Sequence, residues 1–219
     1  MLAKSILGLI FFLFLSAPTT GAQYWPTTKW EKSSPHAQGF EPKSINEMFQ
    51  FMKKRKFPID SVVIVKNGYL IGEYYANNNN EETISNIYSV TKSFTSALVG
   101  IAIDKGHIKS EEQTLGSIFS KNKIIKNDPL LKDIKVQHLL TMTSGLKTRD
   151  NHLSNYSGIF MLRSSKNWVD YIFSLGTEKK PGEHYNYSNG SSHILAAILA
   201  EVTKVPVAKY AERHLFSYI

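Results

Sequence analysis

Ser89-Val90-Thr91-Lys92 places a hydroxyl and an amine three residues apart. On a helix such positions share a face, with Cβ atoms roughly 5–6 Å apart, so the amine can reach the hydroxyl. A serine is a weak nucleophile until a neighbour takes its proton. A lysine can take that proton only where burial or nearby positive charge draws its pKa down from about 10.4. The chemistry this spacing allows is acyl transfer through a serine ester. Alone the pattern is weak, because two fixed residue types in four recur by chance. A helix-capping serine followed by a solvated lysine would read the same.

A second group lies downstream. Tyr187-Ser188-Asn189 follows Pro181-Gly182-Glu183-His184-Tyr185-Asn186. A phenol can exchange protons with a lysine and with a leaving group, and an amide can orient both the lysine and a substrate carbonyl. The plain alternative is a surface loop that uses Asn189-Gly190 as its turn.

The elements that must position these groups are legible around them. Val90 to Lys105 reads as a helix ended by Gly106. Phe94, Ala97, Leu98, Val99, Ile101, Ala102 and Ile103 cover nearly all its sides, the pattern of a buried helix with only its first turn polar. Upstream, Ser44-Ile45-Asn46-Glu47 has the form of a capping box, and Ile45, Met48, Phe49 and Met52 follow at helical spacing. Lys53 to Lys56 complement the negative end of that helix. Ser61 to Lys66 and Tyr69 to Tyr75 read as strands joined at Asn67-Gly68, the preferred pair for a two-residue hairpin. Asn77 to Asn80 is a polar loop. Helical patterns follow at Ile134 to Met142 (closed by Gly145), Trp168 to Leu175, Ser191 to Thr203 and Val207 to Phe216. Residues 23 to 43, rich in Pro, Thr and Ser, are expected to wrap the surface.

Three segments together resemble one known family. Tyr88-Ser89-Val90-Thr91-Lys92-Ser93-Phe94-Thr95-Ser96-Ala97 resembles the nucleophile helix of the class C β-lactamase and penicillin-binding-protein-like serine hydrolases. Leu139-Leu140-Thr141-Met142-Thr143-Ser144-Gly145-Leu146 is similar to that family's Leu-Leu-Thr-x-Thr-Ser-Gly-Leu marker, and Tyr187-Ser188-Asn189 to its Tyr-x-Asn segment. All three occur in family order, and the resemblance covers roughly Ser44 to Phe216. It implies an α+β, β-lactamase/transpeptidase-like fold with helices packed on an antiparallel sheet. It implies that Ser89 is acylated, that Lys92 and Tyr187 share the general-base and general-acid work, and that Asn189 orients Lys92 and the substrate. The Leu139–Leu146 marker would be structural, and the Asn67-Gly68 hairpin would supply two strands of the sheet against which the Ser89 helix packs.

One departure bears on activity. The family carries a third motif, of Lys-Thr-Gly or His-x-Gly type, on a later strand, and no such triplet follows Asn189 before Ile219. That strand donates the second oxyanion N–H, and loss of one such donor costs about 10²–10³ in rate. The expectation is a C-terminally shortened domain, residues 23–219, with weakened or no activity. The rival from another class is a non-catalytic envelope protein that binds peptidoglycan or penicillin-like ligands without turnover.

Composition narrows the rest. The 219 residues are 42% hydrophobic and carry a formal charge of +8, enough apolar material for a core. The basic run Lys53-Lys54-Arg55-Lys56 reads as a solvated helix end, and no aromatics interleave with basic residues as a nucleic-acid groove requires. There is no Cys, so neither disulfides nor thiolate metal sites are available. The seven His form no His-Glu-x-x-His motif, and His138 and His193 read as helix residues with local hydrogen bonds. No Gly-x-Ser-x-Gly elbow or phosphate loop occurs. No metal or cofactor is expected. The implied partner is a small amide or ester, peptidoglycan-derived molecules among them.

Residues 1–22 have the plan of an export signal: Lys4, then the apolar run Ile6 to Leu15, then Thr20-Gly21-Ala22. The run is shorter than the roughly 20 residues needed to span a bilayer. Cleavage would leave a periplasmic or secreted protein of a bacterial envelope with no stable membrane span. An uncleaved or lipid-anchored N-terminus is the alternative, the latter without a Cys near the site to carry the lipid.

Overall fold

A computed structural model describes residues 24–147 and 164–219, so the export-signal segment lies outside the described residues. The chain divides into two compact units, one ending at Ile84 and one running Ser85–Ile219.

The first unit is built on a helix and a hairpin. Helix α1 (Pro42–Arg55) begins at Pro42, whose fixed φ suits a first helical position and whose missing N–H is not needed there. The start therefore precedes the expected Ser44–Glu47 box. Glu41 is the N-cap, and Ser44 lies inside the first turn with its N–H on Glu41 O at 3.0 Å. Lys53, Lys54 and Arg55 fill the last turn, as expected, and Lys56 ends it in the left-handed region. Strands β1 (Ser61–Lys66) and β2 (Tyr69–Tyr75) pair antiparallel, from Ser61 opposite Tyr75 to Lys66 opposite Tyr69, with one irregularity at Ile64/Val65. Asn67 (φ 52°) and Gly68 (φ 83°) both sit at positive φ, the requirement of the tight turn. Phe49 of α1 stacks on Tyr74 of β2 at 5.6 Å. Residues 31–33 do more than wrap the surface. Leu70 N donates to Glu31 O at 2.9 Å and Ser33 N to Leu70 O at 3.0 Å, which lays this segment parallel along β2.

The described elements of the second unit are helices, joined by loops that make two isolated β-bridges, Thr114 with Lys135 and Leu146 with Thr177. A single 3₁₀ turn (Tyr88–Val90) leads into α2 (Thr91–Asp104). Three short helices follow that no periodicity announced: α3 (Leu115–Ile118), α4 (Lys123–Asn127) and α5 (Pro129–Asp133). Each is set by its cap. Thr114 Oγ1 accepts from Ser117 N, Asn122 Oδ1 from Ile124 N and Ile125 N, and Asp128 Oδ1 from Leu130 N and Leu131 N. Helices α6 (Val136–Leu140), α7 (Trp168–Ser174), α8 (Asn189–Thr203) and α9 (Val207–His214) complete the unit.

Helix α8 is the hub, packing against α2, α6, α7 and α9. Its Ile194, Leu195, Ile198 and Leu199 are buried in one apolar cluster with Leu98, Val99 and Ala102 of α2. Each fully buried aliphatic side chain contributes about 1.5–3 kcal/mol. Helix α2 is not buried all round, as its composition suggested. Ser93, Ser96, Ala97 and Gly100 are exposed. Ala and Gly count as apolar but cost little to leave in water, so they report burial poorly.

Gly145 also differs from expectation. Helix α6 ends at Leu140, and Met142 takes the left-handed conformation (φ 58°) that follows it. Gly145 (φ 70°) is needed for a close approach instead, because a Cβ there would lie 2.2 Å from Lys179 O. Glu178 N and Lys179 N both reach Gly145 O.

Candidate active site

The chemistry assembles at the N-termini of α2 and α8, which meet because the two helices pack along their apolar faces. Tyr88 precedes the site at φ 43°, an outlying conformation for a bulky residue. It turns the chain sharply into the 3₁₀ turn and leaves Ser89 exposed. Val90 N donates to Ile87 O at 2.9 Å, so the Ser89 N–H precedes the helical hydrogen-bond ladder. Such N–H groups and the aligned helix dipole favour negative charge at that end.

Lys92 lies on the first turn of α2, half-buried. Its Nζ is 3.1 Å from Ser89 Oγ and donates to Asn189 Oδ1 at 2.8 Å. Both partners are neutral. Its ammonium also sits 4.9 Å from the centre of the Tyr187 ring, within reach of a cation–π contact. On the other side of the serine, Ser89 Oγ and Tyr187 Oη are 2.5 Å apart, at the short end of O–H···O bonds. All four residues singled out from sequence therefore come together, Lys92 and Tyr187 at the Ser89 hydroxyl and Asn189 at the Lys92 amine.

Asn189 and Gly190 do not form a surface turn. They are the first residues of α8, and Ser188 is its N-cap, with Ser191 N donating to Ser188 Oγ at 2.9 Å. This cap was readable in Ser188 and its helix-long apolar sequel but was not singled out. Tyr187 arrives from the 181–187 loop, which backbone bonds tie to the Leu139–Leu146 marker. Gly182 N donates to Thr143 O, and Asn186 N to Met142 O, both at 2.8 Å. His138 lies beneath Gly182, 3.3 Å from where a Cβ would project. Its Nδ1 accepts from Lys135 N at 3.1 Å, the local hydrogen bond expected of it. Burial lowers its pKa, with help from Lys135 and against Glu112. His193 packs on Trp168 with ring centres 5.0 Å apart, and burial lowers its pKa too. Among the described residues no group of His, Asp and Glu gathers to hold a metal ion, and no helix is long and apolar enough to cross a membrane.

The family model described as Beta-lactamase matches residues 46–218. The chain belongs to the Beta-lactamase family. Solved structures agree on the β-lactamase/transpeptidase-like fold, helix-rich with a small antiparallel sheet. The β-lactamase/D-alanine carboxypeptidase from Pseudomonas syringae superposes with a TM-score of 0.61 at 20% identity, covering 80% of this chain and 48% of that one. The octameric penicillin-binding protein homologue from Pyrococcus abyssi gives 0.60 at 23%, covering 80% and 42%. FmtA from Staphylococcus aureus gives 0.59 at 20%, covering 87% and 51%. This Beta-lactamase-family chain thus spans about half the length of the solved structures it matches. A search of curated proteins finds no match.

Proposed function

We propose that the chain is a serine hydrolase that works through an acyl-enzyme on Ser89. The observation that carries this is the placement of Ser89 Oγ within hydrogen-bond distance of both Lys92 Nζ and Tyr187 Oη. In acylation, Ser89 Oγ bonds to the substrate carbonyl carbon and its proton passes to the Lys92–Tyr187 pair. The tetrahedral oxyanion forms at the N-terminus of α2, where N–H groups and dipole favour it. Its collapse breaks the bond to the leaving nitrogen or oxygen, which takes the proton from the same pair. Water then enters by the reverse route and frees the acid. Asn189 holds Lys92 and orients the carbonyl.

The substrate class is an amide or ester: a β-lactam, a D-Ala-D-Ala peptide, a simple ester or a short amide, peptidoglycan-derived molecules among them. The export-signal pattern of residues 1–22 supports action in a bacterial envelope, periplasmic or secreted. The test is intact mass after treatment with a fluorophosphonate probe, beside a Ser89→Ala control. A stoichiometric adduct lost in the control is expected. Folded protein that takes no adduct would sink the proposal. Ligand retained equally by Ser89→Ala, without turnover, would instead identify a non-catalytic binding protein of the envelope.

A further inference from the structure

Three serines among the described residues are buried: Ser144 (4% exposed), Ser188 (1%) and Ser191 (0%). All three lie together at the N-terminus of α8. Ser191 N donates to Ser188 Oγ at 2.9 Å, the Ser144 and Ser191 hydroxyls are hydrogen-bonded at 3.0 Å, and Leu146 N donates to Ser144 Oγ at 3.3 Å. Ser188 is explained by its role as cap. Ser144 also accepts from Leu146 N, but the hydroxyl–hydroxyl bond that joins it to Ser191 satisfies no backbone group and is explained by neither role.

We infer that Ser144 and Ser191 are positioning residues, holding Tyr187 and Asn189 at the distances the proposed acylation needs. The 142–146 segment grips the Tyr187–Asn189 stretch on both sides. Before it, Met142 O and Thr143 O accept from Asn186 N and Gly182 N. After it, the Ser144 hydroxyl meets Ser191, two residues beyond Asn189. Met142 reaches its position through a positive φ of 58°. With both anchors in place, Tyr187 can neither retreat with its loop nor rotate with the helix. Apolar packing alone would let α8 slide or turn slightly about its axis. A hydrogen bond between two short side chains fixes one register. The margin is small: the Lys92–Asn189 contact is 2.8 Å, and a shift of about 1 Å ends a hydrogen bond. The role in catalysis rests on the hydrolase proposal, and the geometric role does not.

The test uses the full chain with ¹³Cε-labelled lysine, the Lys92 signal being assigned by its loss in Lys92→Arg. Ser144→Ala, Ser191→Ala and the double variant are compared in three readouts: melting temperature, the Lys92 signal, and the rate of fluorophosphonate labelling. Each single variant orphans a buried hydroxyl and should melt lower. The double variant leaves neither hydroxyl of the pair orphaned and should recover part of that loss, the unrecovered part including the Leu146 N–H that loses Ser144 Oγ. The Lys92 signal and the labelling rate should stay displaced in the double variant, the rate by roughly 10- to 100-fold. Recovery of the Lys92 signal to its wild-type position in the double variant would reduce the pair to a structural role and overturn the inference. Ser144→Cys, nearly isosteric and weakly hydrogen-bonding, serves if the alanine variants do not fold. A smaller displacement of the same sense supports positioning there, and a wild-type signal overturns it. If the wild-type chain takes no adduct, the hydrolase proposal fails, and the Lys92 signal alone decides whether the pair positions the site.

Discussion

Asn189 offers the sharpest test of how Lys92 is held. Two hydrogen bonds fix Nζ, one to Ser89 Oγ at 3.1 Å and the shorter one to Asn189 Oδ1 at 2.8 Å. Lysine carries about 2 kcal/mol of rotamer entropy on its flexible stem, so each anchor matters. Asn189→Ala removes the stronger anchor and leaves the serine contact and the Tyr187 ring face. A hydrogen bond to a charged group is worth about 1.5–3 kcal/mol. At about 1.36 kcal/mol per decade, the labelling rate of Ser89 should fall roughly 10- to 150-fold. Asn189→Asp keeps an acceptor of the same size but makes it a carboxylate. Unit charges 4 Å apart at an effective dielectric of 20 attract by about 4 kcal/mol, which holds the proton on Nζ and leaves it no lone pair to take the proton from Ser89. The Asp variant should therefore be slower than the Ala variant near neutral pH, with its deficit shrinking as pH rises. Ser188 still caps α8 in both, so the start of that helix is kept. The assay is single-turnover labelling followed by intact mass across a pH series. Wild-type rates in both folded variants would refute the account of Lys92 as a positioned base.

Further outcomes follow from the same geometry. Tyr187→Phe removes the hydroxyl 2.5 Å from Ser89 Oγ but keeps the ring beneath Nζ, so labelling should slow by about 10²-fold or more at unchanged stability, read by the same assay. Gly145→Ala drives a Cβ into the Lys179 carbonyl at a positive φ, and should cost more than about 1 kcal/mol in urea unfolding. Stability should fall on the acid side. Burial lowers the pKa of His138 and His193 below the usual 6.5, and Lys32, then Tyr75, lower that of Glu73 below 4.5. In each case the unfolded chain binds more protons than the folded one. The stability these groups contribute is therefore present above pH 6.5, declines below it as the histidines of the unfolded chain charge, and is lost further as pH drops through the lowered Glu73 value. Thermal melts from pH 8 to 4 check this, and a flat profile between pH 7 and 5 in His193→Gln would identify that residue as the main contributor.

What sequence made legible was whatever rests on a local rule. Asn67-Gly68 demands a tight turn wherever it lies between two apolar runs, and the hairpin formed there. The apolar run from Phe94 gave α2, and the spacing of Ser89 and Lys92 gave their shared face. Three kinds of feature escaped. Helices α3 to α5 are too short for periodicity to register, although Asn122 and the Asp128-Pro129 pair marked their starts. The start of α1 was misplaced because Pro42 acts through backbone geometry, two residues before the side-chain signal at Ser44. Burial on α2 was misjudged because Ala97 and Gly100 fit inside or outside equally well. Within the site, Tyr187 and Asn189 stood out by residue type, and their link to Ser89 and Lys92 came through resemblance rather than spacing. Nearly a hundred residues separate them from Ser89, and only the packing of α8 on α2 closes that distance.

The meeting of two helix N-termini has a consequence for how the protein would fail on heating. Sites carried on loops often come apart at temperatures where the rest of the molecule is still intact. Here the lysine and the amide lie in the first turns of two helices, the serine in the 3₁₀ turn before one and the tyrosine at the end of the loop before the other, and the faces that join these helices are the apolar core itself. The helix starts that carry the lysine and the amide cannot part without the core loosening. Loss of the reactive geometry and cooperative melting of the Ser85–Ile219 unit should be a single event, with a common midpoint and a common rate.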